Sequence, residues 1–274
     1  MSKELMQLNT ENLLWQIQTT TDTSSDDYSK LYKLYDSVTP KGKLSYFPVS
    51  YKHLHELTTN LIHKHGYIIL DVKVKLGKCN KDGIINTFIT TFSLSGKGNP
   101  SEEYTKMIAI QSSHDKSTSI RIVGGSYVNI CTNGNIFGEI IEVRKHTKNV
   151  LQDINDKFES CIKGLEKNYS DFVILADDLR KCKITANSSY GLVGIIYCSL
   201  RDNGIELPLK ILDNIYKNMT KTKPTNAWLL YNIYTDCFKE VNVEYYIKAH
   251  SVLLNVFKDY VELIKNRSNG RKEG

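Results

Sequence analysis

Proline is scarce in this 274-residue chain, at 5 residues, and glycine reaches only 16. Collagen-like repeats, proline-rich linkers and wholly disordered composition are thereby excluded. No apolar run approaches the roughly 18–20 residues that a helix needs to cross a bilayer. The best candidate, Leu192 to Cys198, is far too short. Residues Met1 to Gln7 lack a basic segment followed by an apolar core, so no signal peptide is read there. Cys-x-x-Cys pairs are missing as well. The six cysteines (Cys79, Cys131, Cys161, Cys182, Cys198 and Cys237) are scattered, which fits idle thiols in a reducing compartment better than a disulfide framework. A cytoplasmic protein is expected, in the host cell if the chain is phage-encoded.

What is present is a chain that can build a core, with 41% hydrophobic and 24% charged residues. Its length suits one or two globular units. The formal net charge is +6, a mild excess compatible with a polyanionic partner. Thirty Lys against six Arg, with 22 Asn and 17 Tyr, is the residue bias of an AT-rich genome. The excess is local: Lys41 to Gly83 carries eight Lys and three acids, a surplus of five.

Residues 1–40 read as an N-terminal arm, because the polar run Thr19 to Asp27 cannot build a core and reads as a loop or mobile segment. Ser50 is a plausible N-cap for a helix bearing Leu54, Leu57, Leu61 and Ile62, which Gly66 ends. The period then changes to two. Tyr67 to Leu76 and Ile84 to Leu94 form a hairpin around Asn80–Gly83, and three short strands follow at Met107–Gln111, Ser119–Val123 and Tyr127–Thr132. From Gly138 a helical stripe runs through Ile140, Val143, Val150, Leu151, Ile154, Phe158, Ile162 and Leu165, interrupted by Arg144 to Asn149. Further helices are predicted at 171–183, 188–200, 208–218, 226–240 and 245–264. The expectation is an α+β fold: a mostly antiparallel β-rich core with a long packed helix over 41–185, and a helical region over 186–274.

Two stretches carry a family likeness. One is Ser113-His-Asp-Lys-Ser-Thr-Ser-Ile-Arg-Ile-Val123, continued by Val128-Asn-Ile-Cys-Thr-Asn-Gly134 and Arg144-Lys-His-Thr147. The other is Thr225-Asn-Ala-Trp-Leu-Leu-Tyr-Asn-Ile-Tyr-Thr235. Together they resemble the phage/plasmid-like family known as domain of unknown function 932, over roughly residues 45–265. The resemblance implies a phage or mobile-element origin and supplies no catalytic residues.

Several constellations invite chemistry, and each has a plainer reading. His53 and His55, like His63 and His65, are two apart on a helix and so diverge, which argues against a metal site. His114 and Asp115 beside Ser117 to Ser119 could offer a base and its orienting carboxylate, but neighbours in sequence rarely converge and a polar turn between strands is the favoured reading. Cys131 with His146 would be a nucleophile and base, though Cys131 sits in an apolar strand. The glycines of Gly124-Gly125-Ser126 and Gly134 to Gly138 match no nucleotide fingerprint and read as tight turns, so no cofactor or metal is expected. The helix around Trp228 reads as packed core.

The basic, aromatic segment is the strongest signal. Basic grooves that track phosphate, with aromatic faces on which bases stack, hold single strands. On this reading Lys73, Lys75, Arg144, Lys145 and Lys148 contact phosphate, and Tyr46, Phe47 and Tyr67 stack bases. A non-enzymatic nucleic-acid-binding protein follows, acting on single-stranded DNA or in strand annealing, as a homo-oligomer. The alternative is an anti-defence protein that binds a host protein or a small nucleotide signal. A hydrolase built on His114, Asp115 or His146 is the third reading.

Overall fold

A computed structural model describes residues 14, 16–18, 21–42, 46–96, 104–128, 140–143 and 150–270. Its centre is an antiparallel meander of five strands: β1 (Ile68–Leu76), β2 (Thr87–Ser95), β3 (Tyr104–Ser113), β4 (Ile120–Val128) and β5 (Ile140–Val143). Helices α1 (Ser25–Asp36) and α2 (Tyr51–Lys64) precede the sheet. After it come α3 (Val150–Lys163), α4 (Leu165–Lys181), α5 (Ala186–Asp202), α6 (Leu209–Thr222), α7 (Ala227–Cys237) and α8 (Tyr246–Gly270). The α+β class follows, with a helical C-terminal half.

Period-two alternation decides how the sheet packs. Val72, Val74, Phe88, Phe92, Ile108, Ile110, Ile120 and Ile122 are buried on one face, against Leu31 and Leu34 of α1, Leu54, Leu61 and Ile62 of α2, and Ile154 and Phe158 of α3. Helix α2 starts where its sequence says it should, with Ser50 Oγ accepting from the His53 N–H at 3.0 Å. Ile89, Met107, Ala109 and Val123 lie on the other face, in a narrow seam with Tyr246 and Ile247 at the start of α8. A separate core joins α4 to α8 through Phe172, Leu179, Leu192, Ile215, Trp228, Leu253 and Phe257. Helix α4 belongs to both cores: Leu165 packs with the sheet, whereas Phe172, Ala176 and Leu179 pack with the helices.

Three expectations are corrected. The described part of the Thr19–Asp27 run is docked along the open edge of β1. The Asp22 N–H donates to the Leu70 carbonyl (2.8 Å), and Thr23 Oγ1 and Asp27 Oδ1 accept from the N–H groups of Val72 (3.0 Å) and Val74 (2.9 Å). Polar side chains that could not form a core instead satisfy an edge strand, which would otherwise offer unpaired donors to another chain. The helical stripe also begins later than expected: Ile140–Val143 pairs with Ile120–Val123 as β5, helix starts at Val150, and the break between α3 and α4 falls at Gly164. Four residues rich in β-branched side chains fit a strand beside β4 better than a helical turn.

The third correction concerns Gly124 and Gly125, which lie inside β4 and make no turn. Gly124 pairs with Ile108 on the packed face, and a Cβ there would lie 3.1 Å from Leu165 Cδ1. Glycine lets α4 approach the sheet closely. Gly124→Val should therefore cost about 1–3 kcal/mol through overpacking, read as a lower urea midpoint at unchanged slope. A midpoint equal to wild type would contradict this close approach.

Candidate functional site

The register across the sheet places Lys75, Ile89, Gln111 and Arg121 in one row over β1 to β4. This row lies on the face that meets the start of α8. Gln111 is fully buried, and its Nε2 donates to the carbonyls of Val243 (2.5 Å) and Glu244 (3.2 Å). Its Oε1 accepts from Arg121 at 3.5 Å, so one amide both holds the chain entering α8 and orients the guanidinium. At the other end of the row Lys75 Nζ donates to the Lys239 carbonyl (2.9 Å) and sits 4.0 Å over the Tyr246 ring. Burial first, then the charges of Lys239 and Lys30, pulls the Lys75 ammonium down to about 8.

Beyond Arg121, the sheet, the C-terminal end of α5 and one face of α8 enclose a cleft of about 540 Å³. Helix α8 supplies Lys248, Ser251, Val252, Asn255, Val256 and Asp259, and α5 supplies Ser199 together with its C-cap Asn203. Spacings of three and four put the α8 residues on one helix face. Lys248 Nζ donates to the Asn203 carbonyl at 2.6 Å, tying α8 to the end of α5 where the helix dipole favours a cation. An ammonium carries three protons, so this bond leaves it able to reach a ligand. Among the described lining residues, Arg121 and Lys248 stand against the carboxylate of Asp259. Hydroxyls and amides can donate or accept, and the two valines supply apolar contact. The arrangement suits a small ligand with an anionic group and hydroxyl or amino groups.

Of the residues expected to form a strand-binding groove, Lys73, Lys75, Tyr46, Phe47 and Tyr67 lie among the described residues. Tyr46 and Tyr67 are each only 8% exposed, so neither ring offers a face to a base. The Tyr46 hydroxyl donates to the His114 carbonyl (3.0 Å), and burial followed by the charge of Asp115 pushes it up to about 12. The Tyr67 hydroxyl donates to Glu166 Oε1 (2.9 Å). Phe47 alone of the three aromatics is exposed. Lys73 is half exposed with Asp71 Oδ2 at 3.8 Å, while Lys75 is turned onto the protein's own backbone and ring. Arg144, Lys145 and Lys148 lie outside the described residues, as do Cys131, His146 and the Gly134–Gly138 loop.

The histidine constellations resolve into structure. His53 is exposed and His55 fully buried, diverging as their spacing requires, with His55 Nδ1 2.8 Å from the Tyr35 hydroxyl. His114 stacks on Tyr51 at 3.7 Å between centroids, with its Nε2 3.0 Å from the Val49 carbonyl. Asp115 Oδ1 accepts from the Ser117 N–H (2.9 Å), the polar-turn arrangement. Among the described residues, no group of three or more His, Cys, Asp or Glu is placed to hold a metal ion. No helix among them is long and apolar enough to cross a membrane. No family model, curated protein or solved structure matches this chain. Ser113–Val123 of the first resembling stretch falls on the end of β3, the following turn and β4, its blocks 129–134 and 144–147 lie outside the described residues, and Trp228 in the second stretch is buried in α7.

The cleft residues carry a signal that was there to read. Lys248, Ser251, Asn255 and Asp259 form a polar stripe beside the buried Ala249, Leu253 and Phe257, and Arg121 is a rare arginine between two isoleucines. Nothing in the sequence aligns the two, because their partner elements are more than a hundred residues apart.

Two buried histidines set an acid limit on this architecture. Burial holds His55 and His250 down at about 3, with the Lys75 charge adding to the effect on His250. Both are neutral when folded, whereas the unfolded chain takes up protons below its ordinary value near 6.5. Stability is therefore lost as pH falls through 6.5 towards 3, by roughly 1 kcal/mol per pH unit for each histidine. Urea midpoints should drop between pH 7 and pH 5, and His250→Leu should remove about half of that slope. A flat profile over this window would contradict the assignment.

Proposed function

We propose that the protein is a binding module for a small anionic ligand of the nucleotide class, held in the cleft between β4, α5 and α8. The supporting observation is the meeting of Arg121 and Lys248, from the sheet and the last helix, in one cleft of about 540 Å³. Arginine forks onto phosphate oxygens through two parallel N–H bonds, and lysine adds a mobile point charge. Asp259 accepts from ligand hydroxyl or amino groups, Ser251 and Asn255 serve either role, and Val252 and Val256 pack against a base or sugar. The volume falls within the roughly 300–1,000 Å³ of small-molecule sites. Of the expectations raised by the sequence, this develops the small-nucleotide reading. Strand binding is less well supported, since two of its three stacking rings are buried and Lys75 is engaged within the protein.

Thermal unfolding of the full chain tests the reading, with a nucleoside monophosphate, a cyclic mononucleotide, a cyclic dinucleotide, inorganic phosphate and a short oligothymidylate as probes. Saturation about 100-fold above Kd adds roughly 2.7 kcal/mol, a rise in Tm of about 5–10 °C for a chain of this size. At least one nucleotide should give that rise, and Arg121→Gln or Lys248→Gln should abolish it. No rise with any nucleotide would refute the reading. So would an equal rise with inorganic phosphate, or a rise that persists in both variants.

A further inference from the structure

The cleft has a direction. Helices α5 and α8 run antiparallel along it, since Lys248 bonds to Asn203 at the end of α5 and Tyr260 faces Ser188 at its start. Both cations stand at the first of these ends. Arg121 is linked through Gln111 to the carbonyls of Val243 and Glu244, just ahead of α8, and Lys248 is on the first turn of that helix. Asp259 lies eleven residues beyond Lys248, about 16 Å along the helix axis. Ser251 and Asn255 precede it at steps of four on the same face, with Val252 and Val256 alongside. The charged neighbours of Asp259 on the helix, Lys258 and Glu262, are exposed and lie off the described lining. Among the described residues, no side-chain hydrogen bond or ion pair engages Ser251, Asn255 or Asp259, so all three can meet a ligand.

The separation of the charges decides which part of a nucleotide meets the carboxylate. With phosphate at Arg121 and Lys248, the ribose adjoins that end and the outer edge of the base is the group that reaches Asp259. Side chains on a helix lean towards its N-terminus, so the carboxylate leans back towards that edge. A carboxylate only accepts hydrogen bonds, and its two oxygens match two parallel N–H donors. Guanine carries such a pair, a ring N–H beside its exocyclic amino group. Adenine and cytosine place a ring-nitrogen acceptor beside the amino group, and uracil and thymine flank their ring N–H with carbonyls. Those lone pairs would face the carboxylate oxygens unfavourably. One turn back, the Asn255 amide can donate to the guanine carbonyl that neighbours the ring N–H. We propose, resting on the reading of the cleft as a nucleotide site, that it selects guanine, with Asp259 reading the edge of the base.

Titration calorimetry of the full chain with the monophosphates of guanosine, inosine, adenosine and xanthosine tests this. Wild type should bind the guanosine form about 10-fold tighter than the inosine form, which lacks the amino group and so one bond to the carboxylate. The adenosine form should bind more weakly still. Asp259→Asn should melt as wild type does, because the residue is exposed. Its amide still accepts from the ring N–H but donates where the carboxylate accepted. The variant should therefore lose about 10-fold for the guanosine form and gain about 10-fold for the xanthosine form, whose carbonyl replaces the amino group. A residue with a merely structural role would not exchange one base for another. Equal binding of the guanosine and adenosine forms by wild type overturns the inference and leaves the cleft reading standing. So does an Asp259→Asn variant that keeps its preference for guanosine over xanthosine. No binding by any of the four also overturns it, and failure of the cyclic nucleotides as well overturns the cleft reading with it.

Discussion

The buried amide of Gln111 is the polar contact that joins the last helix to the sheet, beside the packing of α4 in both cores. A sheet with one oily face already covered by α1, α2 and α3 offers a smaller apolar seam on its second face, where Ile89, Met107, Ala109 and Val123 are buried among the described residues. What fixes the start of α8 there is polar: Gln111 donating to the carbonyls of Val243 and Glu244, and Lys75 to that of Lys239. Gln111 is fully buried, and leaving such a side-chain amide unpaired costs roughly 1–3 kcal/mol, so the register of α8 over the sheet is narrowly set. The same row ends in Arg121, so the interaction that joins α8 to the sheet also builds one wall of the cleft.

A division of labour between the faces follows. The packed face makes the fold stable through large side chains and the close approach of Leu165 over Gly124. The second face is half-polar, and its groups either cap backbone or line the cleft. Helix α5 serves two neighbours at once, offering Ser199 and Asn203 to the cleft and its uncharged outer side to solvent.

Local structure was legible where a single residue type forces a single outcome. Ser50 caps α2, Leu54, Leu61 and Ile62 give it one buried face, and Asn80 to Gly83 makes the β1–β2 turn, with Gly83 at φ 75° and Asn80 Oδ1 accepting from Asp82 and Ile84. Tertiary context decided the rest. Alternation correctly put Lys73 and Lys75 on one face but could not say that the C-terminal segment covers part of it. Tyr46 and Tyr67 look alike in sequence whether they stack on a base or bury a ring and donate a hydroxyl bond inward. Gly124 reads as a turn glycine until Leu165 stands over it, and Asp27 reads as loop until Val74 needs an acceptor. The cleft was hidden for the same reason: Arg121, Ser199 and Lys248 meet only once the Gln111 contact has set α8 in place.

Native-state hydrogen exchange on Gln111→Leu tests that dependence most directly. Leucine keeps the buried volume but removes the donor, so the amides of the first turns of α8, from Ile247 to Val252, should exchange at a lower opening free energy. Those of β2, β3 and α2 should stay as protected as in wild type. Unchanged protection at the start of α8 would contradict the claim that this side chain joins α8 to the sheet, and so would a uniform loss across the whole chain.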